Sequence, residues 1–471
     1  MDMYYNLWCL RVFVAERLRD LLFSVCTVYK NKEVIKAEVW QKPNGNFTLL
    51  KKGKEIMFTK NMWSKIFVLL FIVALVAGFS SIADAAKIKV GALNDMTGAT
   101  SDVGKDYALG IAEAIHYIND NGGINGKEVK LYQFDYGYRV PEALTKYKLF
   151  KRLKCVAVLG WGTGDTEALS PTITKDKIPY VSASYSAHLT NPKKTPFNLF
   201  FATDYSSNAR AAITAWFDKK WPKHPDYGKR KPRFLCSYMF ASPYCSAPIK
   251  AIKDQAQILG FDIGPDQDVS LFAIDTKSQI LAMKDFKPDL VWHGNTTMSV
   301  AATVRDAYSL GLGAAHIVNN WGFDENLPRL AGKAAEGVMG AAVCAFFGED
   351  VPLMEKVVEY AKKYNPGVPL EKRLIRTVQG WGAVLILWEA LNRADKAGDL
   401  SGESILKNGF ETMKNFDIGL GAAPVNYTAT DHRVAGIVPI YEVKDGKFQI
   451  VEKVDLKSRW PEKWDSEWIG W

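Results

Sequence analysis

Residues 160–165, Gly-Trp-Gly-Thr-Gly-Asp, are the residue types best suited to hold a small anion. They follow the apolar run 156–159 and precede a segment that begins at Thr166 and is typical of a helix. This order predicts a buried strand, a loop of Gly and Thr, and the start of a helix. Backbone N–H groups at such a junction can point together at a bound anion. The rest of the chain must then hold this loop opposite a second surface.

Particular residues argue against an enzymatic function for this loop. A dinucleotide-binding fingerprint needs glycine at its sixth place, where this chain has Asp165, and an acid there opposes a pyrophosphate. The G-x-S-x-G turn of secreted hydrolases does not occur in the sequence. Paired carboxylates, a Ser/His constellation and a CxxC motif are also missing, and the six histidines are scattered. We therefore predict no catalytic activity, no cofactor and no metal site.

The net charge of +9 is unevenly distributed along the 471 residues. Residues 1–85 hold 12 Lys/Arg and 7 Asp/Glu, which leaves 48 and 44 for the remainder and a charge there of only +4. A nearly neutral body argues against nucleic acid as the partner.

The basic excess belongs to a segment that is typical of a secretory signal peptide. Lys60 and Lys65 precede the apolar run 66–77, and small residues around Ala83 and Ala85 form a cleavage site. The run is shorter than the roughly 20 residues of a membrane span. We expect cleavage after Ala85 and a periplasmic mature protein. Because a signal peptide belongs at the N-terminus, we hypothesise that translation starts at Met57 and that residues 1–56 are untranslated or non-structural.

Export would place the mature chain in an oxidising compartment. Four cysteines follow residue 85, namely Cys155, Cys236, Cys245 and Cys344, and they permit three full pairings. The sequence does not choose among these pairings. Cys236 and Cys245 flank a predicted passage from strand to loop and are the pair we favour.

The order of apolar runs and turn residues predicts an α/β protein with two lobes. Residues 88–93, 129–135, 156–159 and 180–182 read as strands separated by helices, and a second cycle follows with strands at 234–238, 289–293 and 317–322. Such alternation gives doubly wound parallel sheets, which bind ligands at the carboxyl ends of their strands. The loops 94–104, 160–165 and 183–187 share that edge. A final hairpin, 437–443 and 448–454, suggests that the chain returns to a lobe it had left.

Several stretches together resemble one known family. They are residues 88–93 with Thr97-Gly98, the segment Ile-Asn-Asp-Asn-Gly-Gly-Ile-Asn-Gly at 118–126, residues 158–160, residues 179–182 and residues 334–338. In this order they resemble the type I periplasmic solute-binding proteins of ABC importers, in the Leu/Ile/Val-binding branch. The likeness covers nearly all of residues 87–455.

The resemblance implies two lobes that close on a ligand about a hinge of three crossovers. It places the crossovers near Thr203, Val338 and Thr430. The first lobe would then contain residues 87–203 and 339–430, and the second lobe residues 204–338 and 431–471.

The resemblance also implies which loops bind the ligand. Thr163 would give a hydroxyl to the ligand carboxylate, while Gly162 and Gly164 allow close approach of the backbone. The predicted contacts are Val103, Trp161, Gly162, Thr163, Gly164, Ser184, Tyr185 and Ser186 from the first lobe, and Tyr244, Asn295, Thr296 and Trp321 from the second.

One departure from the family pattern bears on the ligand. Amino-acid-binding members carry an acid for the ligand ammonium on the loop that matches residues 319–323, and this chain has Trp321 at or beside that position. A buried ammonium without a carboxylate would be costly. Trp161 and Trp321 favour an aromatic-lined pocket for a carboxylate without an α-amino group. Two alternatives stay open: Asp324 or Asp165 could supply the acid for an amino acid, or the two tryptophans could merely pack the lobes.

The resemblance implies the substrate-binding component of an ABC importer, which captures a small carboxylate-bearing solute and delivers it to a permease in the inner membrane. The solute would be an aromatic or other organic acid, or an amino acid. We expect a monomer. The alternative is a periplasmic sensory or regulatory protein with the same fold, which a neighbouring sensor gene would favour and a neighbouring permease operon would oppose.

Overall fold

The computed structural model describes residues 87–471 in full and, before them, the backbone of four strands. These strands pair in chain order as an antiparallel sheet: Val25–Lys30, Glu33–Gln41, Phe47–Lys51 and Lys54–Met57. Met57, the predicted start, is thus the last residue of this sheet. The predicted signal peptide beyond Met57 lies outside the described residues and stays a prediction.

The first lobe is built on a parallel sheet of five strands. Its strands are β1 (Ile88–Asn94), β2 (Val129–Asp135), β3 (Ala157–Gly160), β4 (Tyr180–Ser182) and β5 (Asn198–Leu199), in the order β2-β1-β3-β4-β5. The helices between them are α1 (Ser101–Asp120), α2 (Val140–Leu153) and α3 (Thr163–Asp176). This strand–helix alternation is the predicted one.

The second lobe begins with α4 (Tyr205–Lys219) and continues as a second α/β cycle. Its strands are β6 (Arg233–Tyr238), β7 (Asp262–Ile263), β8 (Gln267–Asp268), β9 (Leu290–His293), β10 (Ala315–Val318), β11 (Met339–Ala341), β12 (Ile437–Lys444) and β13 (Lys447–Asp455). Its helices are α5 (Pro243–Ser246), α6 (Ile249–Ile258), α7 (Lys277–Phe286), α8 (Thr297–Ser309) and α9 (Asn326–Ala331). The chain also contains α10 (Met354–Tyr364), α11 (Ile375–Lys396), α12 (Gly402–Ser404) and α13 (Leu456–Arg459).

The sheet of the second lobe has the order β7-β6-β9-β10-β11-β12-β13, with β8 also paired to β6. Its strands are parallel up to β11, and β12 and β13 join as an antiparallel hairpin. The late hairpin thus extends the sheet that contains β6, β9, β10 and β11.

Two features of the sequence explain why these elements form where they do. The strand β3 is buried along its whole length, as expected for a parallel strand covered on both faces. Helix α1 buries Val103, Tyr107 and Ile111 at a spacing of four residues, which places them on one face. The chain leaves α1 through Gly122 and Gly123, whose positive φ angles of 94° and 64° suit glycine.

The chain crosses between the lobes at three places. The first crossover separates β5 from α4, close to the predicted Thr203. The second was predicted at Val338, but β11 pairs with β10 in the second sheet, so the chain leaves that lobe only after Ala341. The helices that follow, α10 and α11, pack on α1 of the first lobe. The third crossover lies before β12, where the Tyr427 hydroxyl donates to the Phe200 carbonyl beside the first one.

The favoured disulfide between Cys236 and Cys245 is not formed. Cys236 lies on β6 in the core of the second lobe, whereas Cys245 lies on α5 and packs in a different hydrophobic cluster. All four cysteines of residues 87–471 are free and buried. Within the described residues, no helix combines the length and the apolar character of a membrane span.

Candidate functional site

A small cavity lies where the strand ends of the two lobes meet. Its volume is about 20 Å³, which is room for about one water molecule. It is lined by Thr100, Val103, Tyr138, Trp161, Gly162, Thr163, Ala183, Tyr205, Tyr244, Thr296 and Trp321. A larger hollow of about 990 Å³ beside residues 348–363 contains no residue from these strand ends.

The structure separates the predicted site residues into two groups. Seven line the cavity: Val103, Trp161, Gly162, Thr163, Tyr244, Thr296 and Trp321. The other five, Gly164, Ser184, Tyr185, Ser186 and Asn295, lie behind this lining. Thr100, Tyr138, Ala183 and Tyr205 complete the lining and are not among the predicted contacts, although the predicted edge loops 94–104 and 183–187 contain Thr100 and Ala183.

Helix α3 begins at Thr163, three residues before its predicted start, so the predicted loop is largely the first turn of a helix. The Thr163 and Ser184 hydroxyls are 2.7 Å apart and share a hydrogen bond. The Gly162 N–H donates to the Tyr136 hydroxyl at 3.2 Å, and that hydroxyl donates to Asp165 at 2.7 Å. Burial raises the pKa of Asp165 to about 7, although the hydrogen bond from Tyr136 opposes this rise.

The residues behind the lining hold it in place. The Asn295 side chain accepts from the Met239 N–H at 2.9 Å and donates to the Val269 carbonyl at 2.8 Å, so it fixes the loops of the second lobe. The ring of Tyr185 stacks on Trp321 with centroids 5.7 Å apart. Ser186 donates to Glu167 at 3.2 Å. Gly164 packs beside Pro243, where an added Cβ would lie 3.3 Å from the proline ring.

Aromatic rings from both lobes enclose the cavity. Trp161 of the first lobe and Trp321 of the second meet edge to face, with centroids 4.9 Å apart. Each indole N–H has a fixed acceptor, because Trp161 donates to Thr100 at 2.8 Å and Trp321 donates to the Tyr205 hydroxyl at 2.9 Å. The two rings therefore have defined orientations and present apolar surface to the cavity.

Neither acid that could have received a ligand ammonium lines the cavity. Asp324 is fully buried, with its carboxylate 3.0 Å from the Arg376 guanidinium and 2.7 Å from the Thr297 hydroxyl. Asp165 lies behind Gly162, bonded to Tyr136. Arg376 in turn lies 4.8 Å from the centre of the Trp321 ring. The cavity lining thus contains no charged side chain.

Three long helices begin where the strand ends of the two lobes meet, and a carboxylate lies at the start of each. At α1, Asp95 accepts from the Thr100 N–H at 2.8 Å. At α8, Asp102 of the first lobe accepts from the Met298 N–H at 3.2 Å across the cleft. Helix α3 starts after Gly162, which has no side chain to cap it, and the buried Asp165 carboxylate lies in its first turn. Gly162 and Thr163 at its N-terminus line the cavity, where the N–H groups of a helix can receive an external anion.

Comparison with known proteins identifies the family. Residues 87–447 match the family model described as "Periplasmic binding protein". The chain belongs to this family. The resemblance to type I periplasmic binding proteins of the Leu/Ile/Val-binding branch is thereby confirmed, together with the two-lobed α/β fold. Members of the family and the relatives below are solute-binding proteins and not enzymes.

Three relatives show how widely the likeness extends. A crystal structure of an ABC transporter substrate-binding protein from Aeropyrum pernix is 33% identical, with a TM-score of 0.71 over 79% of this chain and 97% of that one. The valine-bound structure of a branched-chain amino acid ABC transporter from Thermus thermophilus has a TM-score of 0.72 at 23% identity, over 80% and 99% of the two chains. The Leu/Ile/Val-binding protein of Citrobacter freundii is 21% identical over 76% of this chain and 98% of its own.

Proposed function

We propose that this protein is the periplasmic substrate-binding component of an ABC importer, and that it captures a small organic acid without an α-amino group. The family and the relatives named above support a solute-binding role. The acid would bind between the lobes and be delivered to a permease in the inner membrane.

The proposed ligand class rests on one observation: the cavity is lined by the N-terminus of α3 and by no charged side chain. The N-terminus of α3 offers N–H groups and the Thr163 hydroxyl to a carboxylate. No carboxylate is among the residues that line the cavity, and Asp324 is held by Arg376 and Asp165 by Tyr136. Asp102, whose second carboxylate oxygen is buried without a hydrogen bond, also lies outside the lining. An amino acid would therefore bury its ammonium without a partner, at a cost of several kcal/mol.

Binding requires movement of the lobes, because a cavity of about 20 Å³ is too small for an organic acid. In the open form the acid would first contact α3 and the loop at Ala183 and Ser184. The Thr163 hydroxyl would then exchange its bond to Ser184 for one to the carboxylate. Closure would bring Tyr244, Thr296 and Trp321 over the hydrocarbon part of the ligand.

A thermal-shift screen with matched pairs tests the ligand class. Each pair compares an L-amino acid with the same acid lacking the amino group: L-valine with 3-methylbutanoate, and L-phenylalanine with 3-phenylpropanoate; benzoate completes the panel. We expect the plain acids to raise the melting temperature and the amino acids to leave it unchanged. Stabilisation by the amino acid of either pair, without stabilisation by its partner, would reject the proposed class.

Delivery to a permease is a separate claim and needs a separate measurement. Deletion of the gene should abolish uptake of the radiolabelled acid that stabilises the protein best. Unchanged uptake, with loss of a transcriptional response to that acid, would instead support the sensory alternative.

A further inference from the structure

Tyr138 has a backbone conformation that is unusual for an aromatic residue. It lies in the turn between β2 and α2, where the Arg139 N–H donates to the Tyr136 carbonyl at 3.2 Å. Gly137 and Tyr138 have φ angles of 58° and 57°, the two positive values that a type I′ turn requires. Left-handed backbone is costly for a bulky side chain. The other non-glycine residues with positive φ in residues 87–471 are Asn125, Lys154, Lys177, Lys287, Asn415 and Asp445.

The surrounding structure holds this turn firmly. The Asp135 carboxylate accepts from the Gly137 N–H at 3.0 Å and also from the Met96 N–H at 2.9 Å, which ties the turn to the loop after β1. The next residue, Tyr136, is buried and bonded to Asp165. The position of the Tyr138 ring is therefore set by the fold and not by local preference.

The turn places the Tyr138 ring directly over the start of α3. A Cβ added to Gly162 would come within 2.6 Å of the Tyr138 ring. The ring lines the cavity beside Thr163, and Tyr244, Thr296 and Trp321 of the second lobe line the same cavity. Burial raises the pKa of Tyr138 well above its usual value, so its hydroxyl stays protonated at neutral pH and can donate a hydrogen bond.

We infer that Tyr138 is a specificity-determining residue whose ring limits the length of the acid that the closed lobes accept. This inference rests on the proposed function, because it concerns the same cavity. A strained residue persists where the surrounding structure maintains it, and such positions cluster at ligand sites. Here the strained residue is also the one with a ring against the helix end that would receive the carboxylate.

The test compares a series of acids that differ only in length: benzoate, phenylacetate and 3-phenylpropanoate. Affinities for wild type, Tyr138→Gly and Tyr138→Phe are measured by calorimetry. Glycine removes the ring and accepts the positive φ. We expect Tyr138→Gly to shift the preference toward the longest acid, relative to benzoate, by about ten-fold or more. Tyr138→Phe should keep the wild-type order of lengths.

Lys154→Gly is the matched control, because Lys154 has a φ of 60° at the exposed end of α2 and does not line the cavity. It should leave the affinities unchanged. A uniform loss of affinity for all three acids in Tyr138→Gly, or an unchanged order, would overturn the role of Tyr138 and leave the ligand class intact. If wild type binds none of the three acids or 3-methylbutanoate, the ligand class itself fails, and the inference about Tyr138 fails with it.

Discussion

At the scale of single residues, Thr163 forms a hydrogen bond within the protein and also lines the cavity proposed to bind the ligand. It lies at the first position of α3, lines the cavity and shares a hydrogen bond with Ser184. Thr166, one turn later, is equally buried but donates at 2.6 Å to the Gly162 carbonyl and does not line the cavity. A comparison of substitutions at the two threonines therefore distinguishes an effect on ligand affinity from an effect on the stability of α3.

We expect Thr163→Ala to weaken binding of the preferred acid about ten-fold, because a hydrogen bond to a charged group contributes about 1.5 kcal/mol or more. The melting temperature of the ligand-free protein should change little, since Ser184 keeps solvent or ligand as a partner once the lobes open. Calorimetry and thermal melts measure the two quantities. Thr166→Ala is the control and should lower the melting temperature with little effect on affinity. A large loss of stability in Thr163→Ala would make Thr163 structural.

At the scale of elements, α8 of the second lobe depends on a residue of the first. Asp102 accepts from the Met298 N–H across the cleft, while its other oxygen is buried without a partner. Burial raises the pKa of Asp102 to about 6; Asp324 raises it further and Arg376 opposes this. Opening of the cleft would return the pKa toward its ordinary value of 3.8. The closed form thus binds a proton more tightly than the open form, and closure takes up protons below about pH 6.

A fall in pH from 7.5 to 5.5 should therefore favour closure and raise affinity for benzoate about four-fold. Asp102→Asn should lose this gain, because its amide oxygen can still accept from Met298 but does not titrate. Calorimetry at pH 7.5 and pH 5.5 measures the gain in affinity for wild type and for Asp102→Asn. The same gain in both proteins would assign the pH dependence to another group, such as Asp165.

At the scale of the whole molecule, the absence of disulfides among residues 87–471 makes the two cores responsible for stability. Cys155, Cys236, Cys245 and Cys344 are all buried, and burial raises the pKa of each thiol. Buried thiols with raised pKa values are poor nucleophiles.

The folded protein comprising residues 86–471 should not react with a thiol reagent such as dithionitrobenzoate, and four thiols should react after unfolding in guanidinium. Its melting temperature should be the same with and without dithiothreitol. Two reactive thiols after unfolding would instead reveal a disulfide and restore the pairing of Cys236 with Cys245 as a possibility.

The sequence by itself determined the strand and helix order and the two lobes, and it predicts that the N-terminus of α3 binds an anion. These follow from local patterns: an apolar run such as 157–160 marks a buried strand, and Gly162 with Thr163 marks the junction after it. The sequence also indicated Trp161 and Trp321 as contacts, because each is an aromatic residue in a loop that follows a predicted strand. The tertiary structure placed both of them on the cavity.

Only the tertiary structure decided which side chains face the cavity and which support it. Asn295 and Ser186 have the right residue types, but Asn295 bonds to the Met239 N–H and Ser186 to Glu167 on α3, and neither lines the cavity. Tyr138 lies in a turn and Tyr205 lies at the start of a helix. Both line the cavity because the tertiary structure brings the strand ends of the two lobes together. The states of Asp324 and of the four cysteines depend likewise on partners far away in the chain. Local patterns fix elements because their causes lie within a few residues, whereas a site is fixed by distances between elements.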